Sequence, residues 1–376
     1  MGVLRPAPAA PTRVTFIACR SDIRAHELLS QRRVAERLAA LLDCEFVEMR
    51  AEPAAPIGPI GYAVPNETLD SIARAHALGI HREADLFGGV VPFPFIATKV
   101  ITHPLVGTRA AAPSGWSPAF AESVRDVVLP GFCAFSARDA QTAGRRLLKQ
   151  GDVRLKLATG IGGSGQSIAR SELDLDAQIA ALDAAELASD GIVIERNLAE
   201  VKTHSVGLLR VGGLQASYFG TQRLTPNRLG KRVYGGSSLT VARGGLDRLS
   251  VLTEDVSVQR AIGQATAYHV AALECFSGMF ASRCNYDVAE GVDSAGRHWS
   301  GVLEQSWRMG GASGAEVAAV QALADDPSRQ IVRASTTELH RGDVVVPSGA
   351  IVLFDGVDDH LGPIVKYAEV HADERP

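Results

Sequence analysis

The sequence contains few cysteines, no long apolar run and no block of like charge. Its five cysteines are scattered over 376 residues without a C-x-x-C pair, which argues against a disulfide framework and a thiolate zinc site. No apolar stretch approaches the roughly 20 residues that span a bilayer. The charges nearly balance, with 38 Lys and Arg against 42 Asp and Glu, which argues against general nucleic-acid binding. We therefore expect a cytoplasmic protein with no membrane or nucleic-acid partner.

The length and composition predict several folded units. A chain of 376 residues, 46% of them hydrophobic, can form about two or three domains with substantial cores. An alternating strand at 13–19, a helix over 23–42 and a strand at 44–49 predict a βαβ opening. Changes in composition indicate a flexible tail at 1–12 and a boundary near residue 110, which ends an N-terminal α/β domain at 13–110.

The strongest local signal is a glycine-rich segment that follows Lys156 on a predicted strand. Successive glycines let the backbone approach an anion, and a lysine on the preceding strand can reach the same phosphates. The candidate anion-binding residues of this segment are Gly160, Gly162, Gly163, Ser164 and Gly165.

Three phosphate-binding interpretations fit this segment, and a tight hairpin without a ligand is a fourth. Gly160, Gly162 and Gly165 satisfy the dinucleotide pattern G-x-G-x-x-G, which requires a helix directly after the loop. Residues 160–167 also nearly match the P-loop G-x-x-x-x-G-K-[ST], but Gln166 occupies the lysine position. The interpretation that fits best is a flexible glycine lid over ATP that joins two antiparallel strands.

Two carboxylates lie on strands that a turn near residue 295 predicts to form a hairpin. Asp287 and Glu304 stand at similar distances from that turn, so we expect them to face each other. Mg²⁺ is typically held by one or two carboxylates together with substrate phosphates. Arg308, just after Glu304, adds a planar donor for phosphate or carboxylate.

A separate apolar strand ends at Glu195. Its carboxylate could contact the polar groups of a nucleoside, and a strand end exposed to solvent is the alternative interpretation.

Taken in order, these motifs resemble the ATP-grasp superfamily over residues 95–315. That superfamily has a strand lysine before a glycine loop, a hinge strand ending in Glu, and a late carboxylate pair within E-x-N-x-R-x-G-G. The last motif reads E-Q-S-W-R-M-G-G here, from Glu304. The sequence also resembles an uncharacterised proteobacterial family of ATP-grasp-like proteins. The resemblance implies that 13–110 is a pre-ATP-grasp α/β domain and that an ATP-grasp fold of two α+β subdomains follows. The subdomain at 111–204 contains the glycine loop, the one at 205–325 contains the metal site, and 326–376 remains a C-terminal extension of unassigned role, so the chain has five segments in all.

The resemblance also implies an activity and its cofactors, ATP and Mg²⁺. Members phosphorylate a carboxylate to an acylphosphate, which an amine, imine or thiol attacks. We therefore expect a carboxylate–amine ligase that acts on small-molecule carboxylate and amine substrates, with a homodimer as the candidate assembly. The implied roles are phosphate binding by Lys99 and Lys156, adenine and ribose contacts by Glu195, Asn197 and Glu200, metal ligation by Asp287, Glu304 and Ser306, and catalysis by Arg308 with Lys156.

Two departures from the superfamily pattern keep other functions open. Ser306 replaces the usual Asn, and a hydroxyl is a weaker oxygen donor than an amide carbonyl. The acidic residue expected near residues 202–203 is represented only by Glu200, slightly earlier. A nucleotide-binding or regulatory protein that has lost turnover is therefore the alternative hypothesis, and a dinucleotide-dependent oxidoreductase is the third.

The residues after the first predicted strand are candidates for contact with the non-nucleotide substrate. They are Arg20, Ser21, Asp22 and His26, and they follow a strand end where open α/β sheets bind ligands. Helix capping by Ser21 or Asp22 is the alternative role.

Overall fold

The computed structural model describes residues 11–20, 23–50, 60–158, 160 and 165–372. The predicted tail at 1–12 therefore lies outside the described residues except for its last two. Within the described part of the chain, no helix is long and apolar enough to cross a membrane. The described strands form sheets of three, four, eight and two strands.

The chain opens with the predicted βαβ unit. Strand β1 (Arg13–Ala18) pairs in parallel with β2 (Glu45–Arg50) and with β3 (Tyr62–Pro65), in the order β2-β1-β3. Helix α1 (Ala25–Leu41) connects β1 to β2 and buries apolar residues that recur at helical spacing. Because the three strands are parallel, β1 and β3 end at the same edge of the sheet, and the residues that follow them can meet there.

Short elements connect this sheet to the next. Helix α2 (Ile72–Ala77) is followed by β4 (Gly89–Val90) and α3 (Pro118–Ser123). Between β4 and α3, the short 3-10 helix Lys99–Ile101 begins after Thr98, whose hydroxyl accepts a hydrogen bond from the Val100 amide. The Lys99 side chain is buried, so this segment delivers a charged group to the interior.

The second sheet contains the strands on both sides of the glycine-rich segment. In spatial order its antiparallel strands are β5 (Gly131–Ala134), β8 (Ile192–Arg196), β6 (Val153–Leu157) and β7 (Gln166–Ala169). Its helices are α4 (Ala137–Leu148), α5 (Glu172–Ala180) and α6 (Ala184–Asp190). The segment is followed by a strand, and the next helix begins only at Glu172. The dinucleotide interpretation, which required a helix directly after the loop, is therefore wrong, and the antiparallel arrangement is the one expected for a glycine lid.

The largest sheet has eight antiparallel strands. In spatial order they are β14 (His298–Ser306), β13 (Arg283–Val292), β9 (Ala199–Val211), β10 (Leu214–Pro226), β11 (Arg232–Arg243), β15 (Ile331–Leu339), β17 (Gly362–His371) and β16 (Ile351–Asp358). The remaining strand, β12 (Phe280–Ala281), pairs with β4. Strands β15 to β17 lie after residue 325 and extend this sheet beyond β11. The five-segment division of the chain stays a prediction.

Helices α7 (Val256–Cys275) and α8 (Ser313–Asp325) cover opposite faces of the largest sheet. On β9, Leu208 packs in the same apolar cluster as α7, whereas its neighbour Leu209 packs with α8 and α1. Successive side chains of a strand point to opposite faces. Both faces are buried here, which explains why this part of β9 is apolar without alternation.

The hairpin formed by β13 and β14 is fastened to the second sheet by a buried ion pair. Arg196, at the end of β8, donates to Asp293 Oδ2 at 2.7 Å, and its guanidinium lies 4.4 Å from the centroid of the Trp299 ring. Asp293 also accepts hydrogen bonds from Arg297 and Trp299. Burial alone would raise the pKa of Asp293, but these hydrogen bonds outweigh it and lower the pKa. The ionised carboxylate therefore joins the end of β8 to this hairpin.

Replacing Asp293 with Asn is expected to lower the free energy of unfolding by about 3–5 kcal/mol, because it leaves the buried Arg196 without a counter-charge. Arg297→Ala is the matched control. Arg297 pairs with the same carboxylate, but its side chain is 51% exposed, so its loss should cost less than about 1 kcal/mol. Urea unfolding measures both values. Equal losses would show that the buried pair does not fasten the hairpin.

Candidate active site

Lys156 and Glu195 form a buried ion pair between neighbouring strands of the second sheet. Lys156 Nζ on β6 lies 2.5 Å from Glu195 Oε1 on β8, and His103 Nε2 lies 3.1 Å from Glu195 Oε2. The three residues are between 0% and 4% exposed. Burial alone would raise the pKa of Glu195, but the Lys156 charge and the His103 hydrogen bond outweigh it and lower that pKa to about 2. Glu195 is thus ionised and buried, not a solvated strand end.

Lys99 connects the start of the glycine-rich segment to the hairpin carboxylates. Its ammonium donates to the Gly160 carbonyl at 2.5 Å and lies 2.8 Å from Glu304 Oε2. Of the predicted loop residues, Gly160 and Gly165 are described, whereas Gly162, Gly163 and Ser164 lie outside the described residues. Gly165 has φ +64°, a conformation that glycine adopts at low cost, and its carbonyl accepts a hydrogen bond from the Leu157 amide. Of the described ends of the segment, Gly160 therefore contacts Lys99 and Gly165 contacts the end of β6.

Asp287 and Glu304 lie directly opposite each other across β13 and β14, the pairing that the hairpin signal predicts. Asp287 Oδ1 accepts hydrogen bonds from Ser205, Gln222 and Asn285 at 2.9–3.1 Å. Burial, and then the facing charge of Glu304, raise the pKa of Asp287. A cation between two such carboxylates would remove their repulsion.

The donor set fits Mg²⁺ bound together with a nucleotide. Within the described residues, no group of three or more His, Cys, Asp or Glu side chains forms a metal cage, but Mg²⁺ needs only one or two carboxylates when phosphates and water complete its octahedron. Asp287 and Glu304 supply two hard carboxylates on facing strands. Ser306 Oγ, the third predicted ligand, lies 3.3 Å from the Arg283 guanidinium and 3.4 Å from the Arg308 carbonyl, so it is the weakest of the three candidates.

A second buried ion pair holds the turn that follows Glu304. Arg283, on β13, donates to both carboxylate oxygens of Glu316 on α8, at 3.0 and 2.6 Å. The other guanidinium nitrogen donates to the carbonyls of Ser306 and Arg308. Arg283 is 1% exposed and Glu316 0%. The pair thus fixes the backbone on both sides of Trp307. The fixed backbone in turn sets the positions of the Ser306 and Arg308 Cα atoms, from which their side chains extend.

This ion pair is also connected to the carboxylate pair through hydrogen bonds. Tyr218 Oη lies 2.7 Å from Glu316 Oε1 and 2.8 Å from Asn285 Oδ1. The amide nitrogen of Asn285 in turn donates to Asp287. Polar contacts therefore run from α8 to Asp287 inside the largest sheet, although the single proton of the Tyr218 hydroxyl is donated to only one of its two neighbouring oxygens at a time.

A cavity of about 330 Å³ is lined by Glu304, one member of the carboxylate pair. One wall comes from residues that follow β1 and β3, and the other from the turn after β14 and from Lys99. The described lining residues are Cys19, Arg20, Glu67, Thr68, Leu69, Asp70, Arg74, Pro94, Ala97, Thr98, Lys99, Ala158, Gly160, Glu304, Gln305, Ser306 and Arg308. The cavity therefore lies where the first sheet meets the candidate metal site.

The remaining sequence candidates have mixed outcomes. Arg20 lines the cavity, and Ser21 and Asp22 lie outside the described residues. The prediction for His26 is wrong: α1 turns this side chain away from the cavity and buries it beside the Phe354 ring on β16, with ring centroids 6.0 Å apart. Asn197 accepts a hydrogen bond from Arg154 at 2.7 Å. Glu200 is exposed at the start of β9 with φ +51°. No observation tests their nucleotide roles.

Sequence reasoning missed His103, Arg283 and Glu316. A signal existed for Glu316, because it stands in an otherwise apolar helix, Ser313–Asp325, and a charged residue in such a setting needs a buried partner. Nothing local identifies that partner, since Arg283 is distant in the sequence. His103 follows Thr102 without any recognisable motif.

Comparison with known sequences assigns the family. The model of a family described as a protein of unknown function, DUF3182, matches residues 14–368. The chain belongs to the DUF3182 family. No curated protein matches this DUF3182 sequence.

Solved structures show the fold of this DUF3182 protein. An ADP complex of N5-carboxyaminoimidazole ribonucleotide synthetase is similar with a TM-score of 0.53 and 13% identity, over 97% of this chain and 94% of that chain. A carboxyaminoimidazole ribonucleotide synthase from Aspergillus clavatus, complexed with ATP, gives 0.51 and 10%, over 95% and 93%. Phosphoribosylamine–glycine ligase from Thermotoga maritima gives 0.50 and 12%, over 96% and 93%. These are ATP-grasp enzymes, so the expected ATP-grasp fold is confirmed.

Replacing Lys156 with Met should destabilise the protein by about 3–5 kcal/mol, because Glu195 loses its cation while it stays buried. The loss should be larger near about pH 8 than near about pH 5. In the wild type the pKa of Glu195 is lowered from 4.5 to about 2, so its stabilising contribution is fully present above pH 4.5 and is lost progressively as the pH falls towards 2. In the variant, burial raises that pKa instead, and stability falls as the pH rises.

Urea unfolding at both pH values measures this difference. Lys149→Met is the control, since Lys149 is exposed at the end of α4 and its loss should have little effect at either pH. A Lys156→Met loss that does not change with pH would contradict a buried, ionised Glu195.

The double variant Arg283→Met/Glu316→Leu separates the effect of this ion pair on stability from its effect on the geometry of the site. Each single variant should lose about 3–5 kcal/mol, because one buried charge is left alone, whereas the double variant should regain most of that stability. Binding of a Mg²⁺–nucleotide should stay weak in the double variant, since the carbonyls of Ser306 and Arg308 lose their donor. Urea unfolding and calorimetric nucleotide titration are the two measurements. Wild-type binding by a stable double variant would mean that the pair serves stability alone.

Proposed function

We propose that this protein is an ATP-dependent, Mg²⁺-requiring ligase that activates a small-molecule carboxylate as an acylphosphate for attack by an amine. The observation that carries the proposal is that Lys99, Glu304 and Arg308 line one cavity, while Asp287 faces Glu304 across the strand pair. The ATP-grasp fold supports it, as do the neighbours that bind ADP or ATP in their solved structures. Phosphoryl transfer needs charge neutralisation and alignment more than it needs a proton-transfer group, and the site supplies fixed charges.

In this proposal the chain positions the nucleotide from two directions. Lys156, oriented by Glu195, and Lys99, oriented by Glu304, place two ammonium groups near the glycine segment, where phosphate oxygens are to lie. Asp287 and Glu304 hold Mg²⁺, which when bound neutralises phosphate charge and helps to align the transferred group. Because the side chains are already held by ion pairs and hydrogen bonds, little reorganisation is needed on binding.

The cavity then receives the acid. Arg308, whose side chain is 25% exposed, orients the substrate carboxylate so that one of its oxygens attacks the γ-phosphorus and ADP leaves. The amine nitrogen next attacks the acyl carbon, the bond to the phosphate oxygen breaks, and inorganic phosphate leaves while the amine loses a proton. Holding the reactants in line supplies much of the acceleration.

The thiol of Cys19 also lines the cavity. Burial raises the pKa of this thiol, so it stays protonated and is a poor nucleophile.

One observation favours a second function. The Ser306 hydroxyl, in place of the usual Asn, lies within hydrogen-bond distance of the Arg283 guanidinium, which weakens its use as a metal ligand. A regulatory protein that binds the nucleotide without turnover would tolerate that change. Mg²⁺-dependent ADP release that requires both a carboxylate and an amine distinguishes the ligase from this alternative.

Asp287→Asn should abolish the stabilisation by Mg²⁺ and ATP without weakening the free protein. At about 100 times the dissociation constant, the ligand should stabilise the wild type by roughly 2.7 kcal/mol. The variant should unfold at the same temperature as the wild type or above it, because Asn keeps an oxygen for the three hydrogen bonds and no longer faces Glu304 as a like charge. Thermal unfolding with and without Mg²⁺–ATP measures both effects.

Asp359→Asn is the control, since Asp359 is exposed in the turn between β16 and β17. It should retain the full ligand effect. If Asp287→Asn is stabilised by Mg²⁺–ATP as strongly as the wild type, the carboxylate pair is not the metal site and the proposed function fails.

A further inference from the structure

One carboxylate of the protein, that of Glu67, already pairs with two of the arginines that line the cavity. Glu67 Oε2 lies 3.3 Å from Arg308 Nε, and Glu67 Oε1 lies 3.5 Å from Arg20 Nη1. These side chains are between 24% and 43% exposed, so the contacts are hydrated and individually weak. A protein carboxylate thus lies between two guanidinium groups, and a substrate acid would compete with Glu67 for Arg308.

A second carboxylate in the same cavity, that of Asp70, has no hydrogen-bond or ion-pair partner among the described residues. Asp70 follows Glu67 on the same loop after β3 and lines the cavity. Within the described residues its side chain makes no hydrogen bond or ion pair, although it is only partly exposed. Partly buried charged groups are normally paired. A ligand that carries a positive charge would supply the missing partner.

The rest of the lining limits the shape of the ligand. None of the described lining residues is aromatic, and the apolar ones are Leu69, Pro94, Ala97 and Ala158. A purine, imidazole or other planar ring would find no aromatic surface to stack on. A small aliphatic molecule with charges of both signs fits the volume and the polar groups better.

We propose that the acid substrate is an amino acid, with its carboxylate on Arg308 and its ammonium on Asp70. This proposal rests on the proposed ligase function and names the substrate class. Glu67 is the residue that the substrate carboxylate displaces from Arg308. Asp70 selects for the ammonium, because the same acid without its amine leaves the partly buried Asp70 carboxylate without a counter-charge.

The test compares matched ligands by calorimetric titration of the full chain saturated with Mg²⁺ and a non-hydrolysable ATP analogue. The ligands are the twenty standard amino acids and, for each that binds, the same acid without its amine, such as propionate for alanine or succinate for aspartate. At least one amino acid should bind, and its deaminated partner should bind at least about tenfold more weakly. Asp70→Asn should remove that difference, Glu67→Gln should tighten amino-acid binding, and the control Asp359→Asn should change neither.

The outcomes separate this inference from the proposed function. If the ATP analogue does not bind, the ligase proposal fails and the amino-acid proposal fails with it. If the analogue binds normally but no amino acid does, or if the deaminated acids bind equally well, only the amino-acid proposal is overturned. Unchanged amino-acid binding by Asp70→Asn would overturn the role of Asp70.

Discussion

Two carboxylates held face to face on neighbouring strands, Asp287 and Glu304, are the constraint on which the rest of the site depends. Antiparallel pairing of β13 and β14 forces them together, and partial burial makes their repulsion costly. The surrounding groups are arranged to offset that repulsion. Lys99 contacts Glu304, and three hydrogen-bond donors converge on one oxygen of Asp287. In the proposed function, a divalent ion bound between them would remove the repulsion that remains.

Buried ion pairs connect parts of the chain that are distant in sequence. Lys156 with Glu195 joins two strands of the second sheet, Arg196 with Asp293 joins that sheet to the hairpin, and Arg283 with Glu316 joins the hairpin to α8. Such pairs contribute little net stability compared with apolar packing, but removing one partner is costly. Each pair here ends beside a candidate binding group. Their role is therefore best explained by the geometry that they impose on the site.

Local signals predicted much of the fold. The turn at 293–297 predicted the hairpin, Ser136 and the residues after it predicted α4, and the failure of residues 167–170 to start a helix favoured antiparallel strands around the glycines. Partners of buried charges could not be predicted in the same way. Arg283 and His103 carry no periodic or turn signal, and their contacts depend on how strands from different segments pack. His26 was misplaced for the same reason, because the rotation of α1 is set by β16, near the other end of the chain.

The sequence by itself determined the order of the motifs, the identity of the charged groups and the facing of Asp287 and Glu304, because strand periodicity and turn chemistry act over a few residues. Only the tertiary structure decided that the ends of β1 and β3 close a cavity against the turn after Glu304, and that the C-terminal strands extend the largest sheet. Those features depend on contacts between distant segments, such as the pairing of β4 with β12 and of β11 with β15. The free energy that selects them comes from burying apolar surface over the whole chain, which no short stretch of sequence specifies.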